Sequence, residues 1–231
     1  SVEKSFKARA EVAPPKGASW VTVLYGSIPI IVTAPHATQT KRQGSTRFLD
    51  RGTGTLATTL HRTTGATVVT TAWASPCDAN DTDSCEFKDS LAALIGRVKP
   101  VLILDLHSSS AARPYDIDFG TMNGLSIKSF PLALTELSKV LDSHGFTCQS
   151  RDFFAAQENR TITRFAAGKK VPCMQLEFST TWLRAHGPDH ERHHFAKTLN
   201  ALTTFVRSVG GTRKGAADSS TPFTPAADSS T

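Results

Sequence analysis

The stretch VLILDLH, residues 101–107, decides the fold. It is a continuous apolar run that ends in polar residues, which predicts a strand covered on both faces, as in the sheets of α/β proteins. Side chains two apart along a strand share a face, so Asp105 and His107 point the same way.

Working outward, EFKDSLAALIGR (86–97) spaces its apolar residues at close to a helical period and leads into this strand. Upstream, WVTVLYG (20–26) and IPIIVTAPH (28–36) are β-branched runs joined at Gly26, which predicts a hairpin that delivers His36 at a strand end. A helix is expected over 52–64 and a strand over 67–73. Downstream, 129–144 reads as a helix with Leu132, Leu134, Leu137, Val140 and Leu141 on its apolar positions. Strands are expected near 146–151 and 172–179, and a closing helix over 190–209. The order is α/β throughout after a hairpin start.

These elements define one domain, 20–209. Residues 1–19 are polar with Pro14–Pro15 and read as an extended lead-in. Residues 210–231 shift to Gly, Ala, Ser, Thr, Asp and Pro, with AADSST at 216–221 and again at 226–231. Such a tail has too little apolar surface to offset the entropy of ordering, so it is expected to be disordered.

The 231 residues suffice for a sizeable core, and no apolar run approaches the roughly 20 residues that span a bilayer. Formal charge is +6, but 26 basic residues are scattered among 20 acidic ones without the runs that mark nucleic-acid or membrane patches. A solvated basic surface accounts for this, and a basic field that attracts a carboxylate-bearing substrate is the alternative. Four cysteines allow two disulfides, with Cys77 and Cys85 bracketing DANDTDS and Cys148 and Cys173 in two predicted strands. No C-x-x-C spacing points to a zinc ribbon or a redox motif. Sequons at Asn80 and Asn159 lean the reading towards a secreted or cell-surface protein rather than a cytoplasmic one.

APH, LDLHS and QLEFS each place a titratable group where a buried, mainly parallel strand ends. In open α/β sheets the crevice at the carboxyl ends of the strands is the usual ligand site, so His36, His107 and Glu177 are expected to converge there. Two imidazoles and a carboxylate with an open position form a common catalytic zinc shell. Asp50, in the loop TRFLDRGTG, is close enough along the chain to fold back beside His36 as a third ligand. Asp105 is placed to accept the second N–H of His107 and fix its tautomer. A lone strand-end histidine is more often an ordinary polar residue. A carboxylate embedded in MQLEFS is costly to bury unpaired, which favours a functional role for Glu177.

Taken in order, the motifs resemble the N-formylglutamate amidohydrolase family. They are Pro35–His36, the Asp50 loop, Asp78-Ala-Asn80, Asp105-Leu-His107-Ser108, Gly120-Thr121-Met-Asn-Gly124, Ile162-Thr163-Arg164 and Gln175-Leu176-Glu177, across residues 28–184. The resemblance implies a three-layer α/β/α fold with a mixed, mostly parallel central sheet, shared with zinc carboxypeptidases. It implies one zinc ion per chain held by His36, Asp50 and His107, and amide hydrolysis with Glu177 as general base. It further implies that Asn80, Thr121 and Arg164 bind the substrate, with Arg164 clamping a carboxylate.

The pattern departs from the family after Asp-x-Asn, where Arg is usual and this chain has Asp81. Arg113, Arg151 and Arg160 are the candidates to replace the missing guanidinium. The expected substrate is a small N-acylated amino acid or a similar carboxylate. The competing readings are a metallopeptidase acting on short or γ-glutamyl peptides, and an inactive secreted or surface protein on the same fold.

Overall fold

In the computed structural model, which describes residues 2–217, the chain begins with helix α1 (Val2–Arg9) and strands β1 (Val21–Leu24) and β2 (Ile30–Ala34). A small ribbon of β3 (Thr40–Arg42) and β4 (Ser45–Arg47) precedes α2 (Thr53–Thr64) and β5 (Thr67–Thr71). Then come α3 (Glu86–Val98), β6 (Leu102–Ser109), β7 (Ile117–Gly120), α4 (Leu132–Ser143) and β8 (Gln149–Arg151). Helix α5 (Ile162–Gly168), β9 (Cys173–Ser179) and α6 (Asp189–Ala217) complete the order.

Seven strands form one sheet in the order β1-β5-β2-β6-β9-β7-β8. The four central strands β5, β2, β6 and β9 are mutually parallel, while β1 and β7 run antiparallel to their inner neighbours. Leu102, Leu104 and Leu106 of β6 face one side and pack with α2, α4 and α6 around Leu56, Leu137 and Phe205. Ile103 faces the other side and packs with Ile31, Phe87, Leu91 and Ile162, under α3 and α5. The fold is therefore a three-layer α/β/α domain with a mixed, mostly parallel sheet. The period-two alternation of a strand accounts for the split.

The second face changes character along its length. At the start of the strands it is apolar, with Ile31, Ile103 and Cys173. Towards the carboxyl ends the same rows become Thr33, Asp105 and Gln175, then His107, Glu177 and Asp118, aligned by strand register. That polar corner is where the helical cover stops.

Three expectations need correction. The runs at 20–26 and 28–36 do not pair with each other, because β5 lies between β1 and β2. Adjacent strands lie about 4.8 Å apart, and the five linking residues reach easily across the two intervals. A β-branched, fully buried β5 gains more from two neighbours than from an edge position. The lead-in is not extended over 2–9: α1 forms there, anchored by Phe6 against the core and by Glu3, which accepts from Thr55 Oγ1 at 2.6 Å. The closing helix does not stop at 209 but runs to Ala217. Val209 is its last apolar side chain that the sequence pattern reads, and the helical backbone continues beyond it. The remainder of the expected tail, 218–231, lies outside the described residues.

All four cysteines are free thiols. Cys173 is buried in β9, and exposed Cys148 lies beside β8, with β7 between them. Two inter-strand intervals exceed the roughly 4.4–6.8 Å Cα separation that a disulfide needs. The interaction of Cys77 with Cys85 pulls Cys85 down to about 6 and pushes Cys77 up. Among the described residues no helix is long and apolar enough to cross a membrane.

Candidate metal centre

His107 lies in β6 directly beside Glu177 of β9 in the strand register. His36 follows β2, and Asp50 is tethered to it because the Asp50 amide donates to the His36 carbonyl at 2.7 Å. The Thr53 hydroxyl donates to the Asp50 carbonyl at 2.7 Å, which fixes the entry to α2. Between them, Gly52 adopts φ 83° and passes so near Leu183 that an added Cβ would lie 2.0 Å from its carbonyl oxygen. Only glycine fits that approach.

Both histidines turn Nδ1 towards the same oxygen, Asp50 Oδ2, at 3.4 Å from His36 and 2.9 Å from His107. The ring centroids are 4.9 Å apart at an interplanar angle of 70°. One ligating atom from each of His36, Asp50 and His107 lies within 4.8 Å of the others, a group that could hold a metal ion.

The far nitrogens are also engaged. His36 Nε2 lies 2.8 Å from Asp78 Oδ1, and His107 Nε2 lies 3.1 Å from Asp105 Oδ2. Asp78 in turn accepts from Arg42 Nε and Nη2, both at 2.8 Å, and from the Asn80 amide at 2.8 Å. Asp105 accepts from Thr33 Oγ1 at 2.6 Å. Each imidazole is thus held between two carboxylates, whose orientation is itself fixed, as in carboxylate–histidine–metal arrangements.

Burial opposes protonation of His36, but hydrogen bonds to Asp50 and Asp78 overcome it and raise its pKa to about 9. His107 is likewise raised despite burial, through Asp105 and Asp50. Burial pushes Asp50 up, yet the two histidines win and hold it near 2. Asp78 is also lowered against its burial, by His36, the Asn80 amide and Arg42. The donor set fits a divalent cation. A cation held there would displace protons from the histidines, and Asp78 and Asp105 would remain to orient the two imidazoles.

Glu177 behaves differently. Burial raises its pKa to about 7, His107 lowers it, and Asp50 raises it further. Its Oε1 accepts from Gln175 Nε2 at 3.2 Å. A carboxyl poised near neutrality beside a cation site is suited to moving a proton.

The centre opens into a cleft of about 970 Å³ whose wall includes His36, Asp50, His107, Glu177 and the arginines 42, 47, 113 and 164. Arg164 is exposed on this wall, with Nη1 3.3 Å from the Gln157 carbonyl. Asn80 lines the cleft but is 6 % exposed, with Oδ1 accepting from the Ile162 amide at 2.8 Å and Nδ2 3.2 Å from His107 Nε2. A glycan cannot be attached to so enclosed an amide in the folded chain. Thr121 does not line the cleft. It is fully buried, its amide and hydroxyl donate to Asp152 at 2.6 and 2.8 Å, and its hydroxyl accepts from the Gly124 amide. Its burial and bonding make it a loop anchor. Of the proposed substitutes for the missing arginine, only Arg113 lines the cleft. Arg160 pairs with Asp83 at 2.8 Å, and Arg151 is exposed on the edge strand.

Sequence reasoning did not assign Asp78, Arg42 or Asp118. Asp78 belongs to the Asp-x-Asn motif, two residues before Asn80. Arg42 is in the β3–β4 ribbon, whose alternation is too short to read. Asp118 belongs to IDFG, which passes for a glycine-containing loop until β7 is seen.

No family model matches the chain, and no curated protein matches it in sequence. Solved structures do match in shape. N-formylglutamate amidohydrolase from Ralstonia eutropha JMP134 superposes with a TM-score of 0.58 at 15% identity, covering 84% of this chain and 98% of that one. Gene product Atu2144 from Agrobacterium tumefaciens gives a TM-score of 0.51 at 10% identity, covering 87% and 97%. At these identities the likeness concerns the fold, and the chain has the α/β/α fold seen in the Ralstonia N-formylglutamate amidohydrolase.

Proposed function

We propose that this protein is a zinc-dependent hydrolase of an amide bond in an N-acylated amino acid or a similar carboxylate-bearing substrate. The observation that carries the reading is the convergence of one ligand atom each from His36, Asp50 and His107 within 4.8 Å of one another, next to Glu177, whose pKa is raised to about 7. The shared fold of the Ralstonia amidohydrolase supports it.

In this reading His36, Asp50 and His107 hold one zinc ion per chain. When bound, the metal polarises a carbonyl and brings a water towards neutral pKa. Glu177 accepts the water proton and returns it to the leaving amine, a transfer matched to its raised pKa. Asp78 and Asp105 keep each imidazole in the tautomer that presents Nδ1. Arg164, which lines the cleft, binds the substrate carboxylate in this reading through two parallel N–H bonds. Short peptides are also accommodated, since about 970 Å³ is at the upper end of ordinary ligand pockets.

Metal analysis of purified protein tests the reading. About one zinc per chain is expected, lost in the His36→Ala, His107→Ala double variant. Failure to bind zinc, or unchanged binding in the double variant, overturns it. Hydrolysis of N-formyl, N-acyl and short peptide substrates then identifies the acyl group.

A further inference from the structure

Where the resembling family carries arginine after Asp-x-Asn, Asp81 accepts here from Gln43 Nε2 at 3.2 Å. Among the arginines of the cleft, Arg42 is already paired with Asp78. Arg47, Arg113 and Arg164 have no carboxylate partner among the described residues. Arg113 differs from the other two in how it is held.

Its guanidinium carbon lies 5.3 Å from the centre of the Phe153 ring and 5.2 Å from that of Phe154. The rings meet edge to face at 5.1 Å. This platform is built from below. The fully buried carboxylate of Asp118 accepts from the Phe153 amide at 3.1 Å and the Phe154 amide at 2.9 Å, and also from the Ser150 hydroxyl. Gly120 passes so close that a Cβ there would lie 2.4 Å from the Phe154 carbonyl oxygen. That carbonyl is 3.5 Å from Gln175 Nε2, which donates to Glu177 at 3.2 Å. A buried acid, a close glycine and two aromatic rings therefore combine to fix one arginine, which is linked to the proposed base through Phe154 and Gln175. Cation–π seating leaves the edge N–H groups of a guanidinium directed outward, and reduces the entropy lost when it binds an anion.

We propose that Arg113 is a specificity-determining residue that holds a substrate carboxylate on the Glu177 side of the cleft, in place of the arginine replaced by Asp81. The proposal rests on the amide-hydrolase reading for its substrate class. It goes beyond that reading by naming the residue and requiring a carboxylate additional to the one at Arg164.

The test uses N-acetyl-L-glutamate, its side-chain amide and its α-amide, with zinc-loaded full-length protein. Hydrolysis and calorimetric binding are measured separately. In the unmodified protein, converting the carboxylate held by Arg113 to an amide should weaken binding and kcat/KM by about 10–100-fold, the range for hydrogen bonds to charged groups. In Arg113→Ala the same conversion should make no difference, while Arg113→Lys should restore part of it and Phe153→Ala should reduce it. Equal loss for all three compounds in Arg113→Ala, or no loss for any, overturns the proposal. If the compounds bind with this coupling but none is hydrolysed, the hydrolase reading falls and the anion site stands. Hydrolysis without the coupling, or binding of none of the three, removes the anion site.

Discussion

At the candidate metal centre every ring nitrogen of His36 and His107 has a carboxylate oxygen within 2.8–3.4 Å. Along the rest of the cleft, Arg47, Arg113 and Arg164 have no carboxylate at all among the described residues. The two regions share one cavity but differ in what completes them. The candidate centre is internally neutralised and its side chains are already oriented. The arginines have no such partner within the described residues. Burial explains the division: charges withdrawn from water need partners at hand, whereas exposed guanidiniums remain hydrated until something displaces the water.

The comparison breaks most completely if the centre can be dismantled without consequence. The His36→Ala, His107→Ala double variant should lose both zinc and activity, measured by metal analysis and by hydrolysis. Glu177→Gln should keep zinc while activity falls about 10²–10⁴-fold, the usual general-base contribution. A variant with full turnover would assign the proton transfer to another group.

Asp78→Asn and Asp105→Asn probe the outer support. Each should weaken zinc affinity by about 10–100-fold, read by competition with a chelator, because an amide accepts less well from Nε2–H. The pH dependence follows from the shifted groups. His36 is protonated below about 9 and must release its proton to bind zinc, so affinity should fall as pH drops from 9 towards 6. Calorimetry in buffers of different ionisation enthalpy should register this proton release. Glu177 must be ionised to act as base. Its pKa is about 7 in the metal-free protein, and a nearby dication favours the ionised form, so the acid limb of kcat/KM should lie at or below pH 7. A limb well above 7 would exclude Glu177 as its source.

The smallest effect is expected on the exposed wall. Arg47→Ala should leave thermal stability within about 0.5 kcal/mol, as surface substitutions away from packed features do. A marked loss of stability would mean that the arginine belongs to the framework and is not held ready for substrate.

Legibility followed the same division. His36 and His107 could be read because each follows or ends an apolar run, where a polar residue is conspicuous, whereas Asp50 is suggested by its place in the loop after His36. The alternation in LDLH put Asp105 and His107 on one face, and the strand bears this out. Thr121 could not be placed correctly, because its short motif is consistent equally with a cleft wall and with a buried turn. The Asp152 carboxylate, 31 positions away, decides between them.

By itself the sequence determined the α/β class, the approximate positions of the central strands and the residues able to bind a cation, since periodicity and residue chemistry are local properties. Only the tertiary structure decided that β5 separates β1 from β2, that Asp78 and Arg42 support His36, and that Arg113 rests on Phe153 and Phe154. Strand order, buried ion pairing and ring stacking depend on segments far apart in the chain, and their energies arise only when those segments meet.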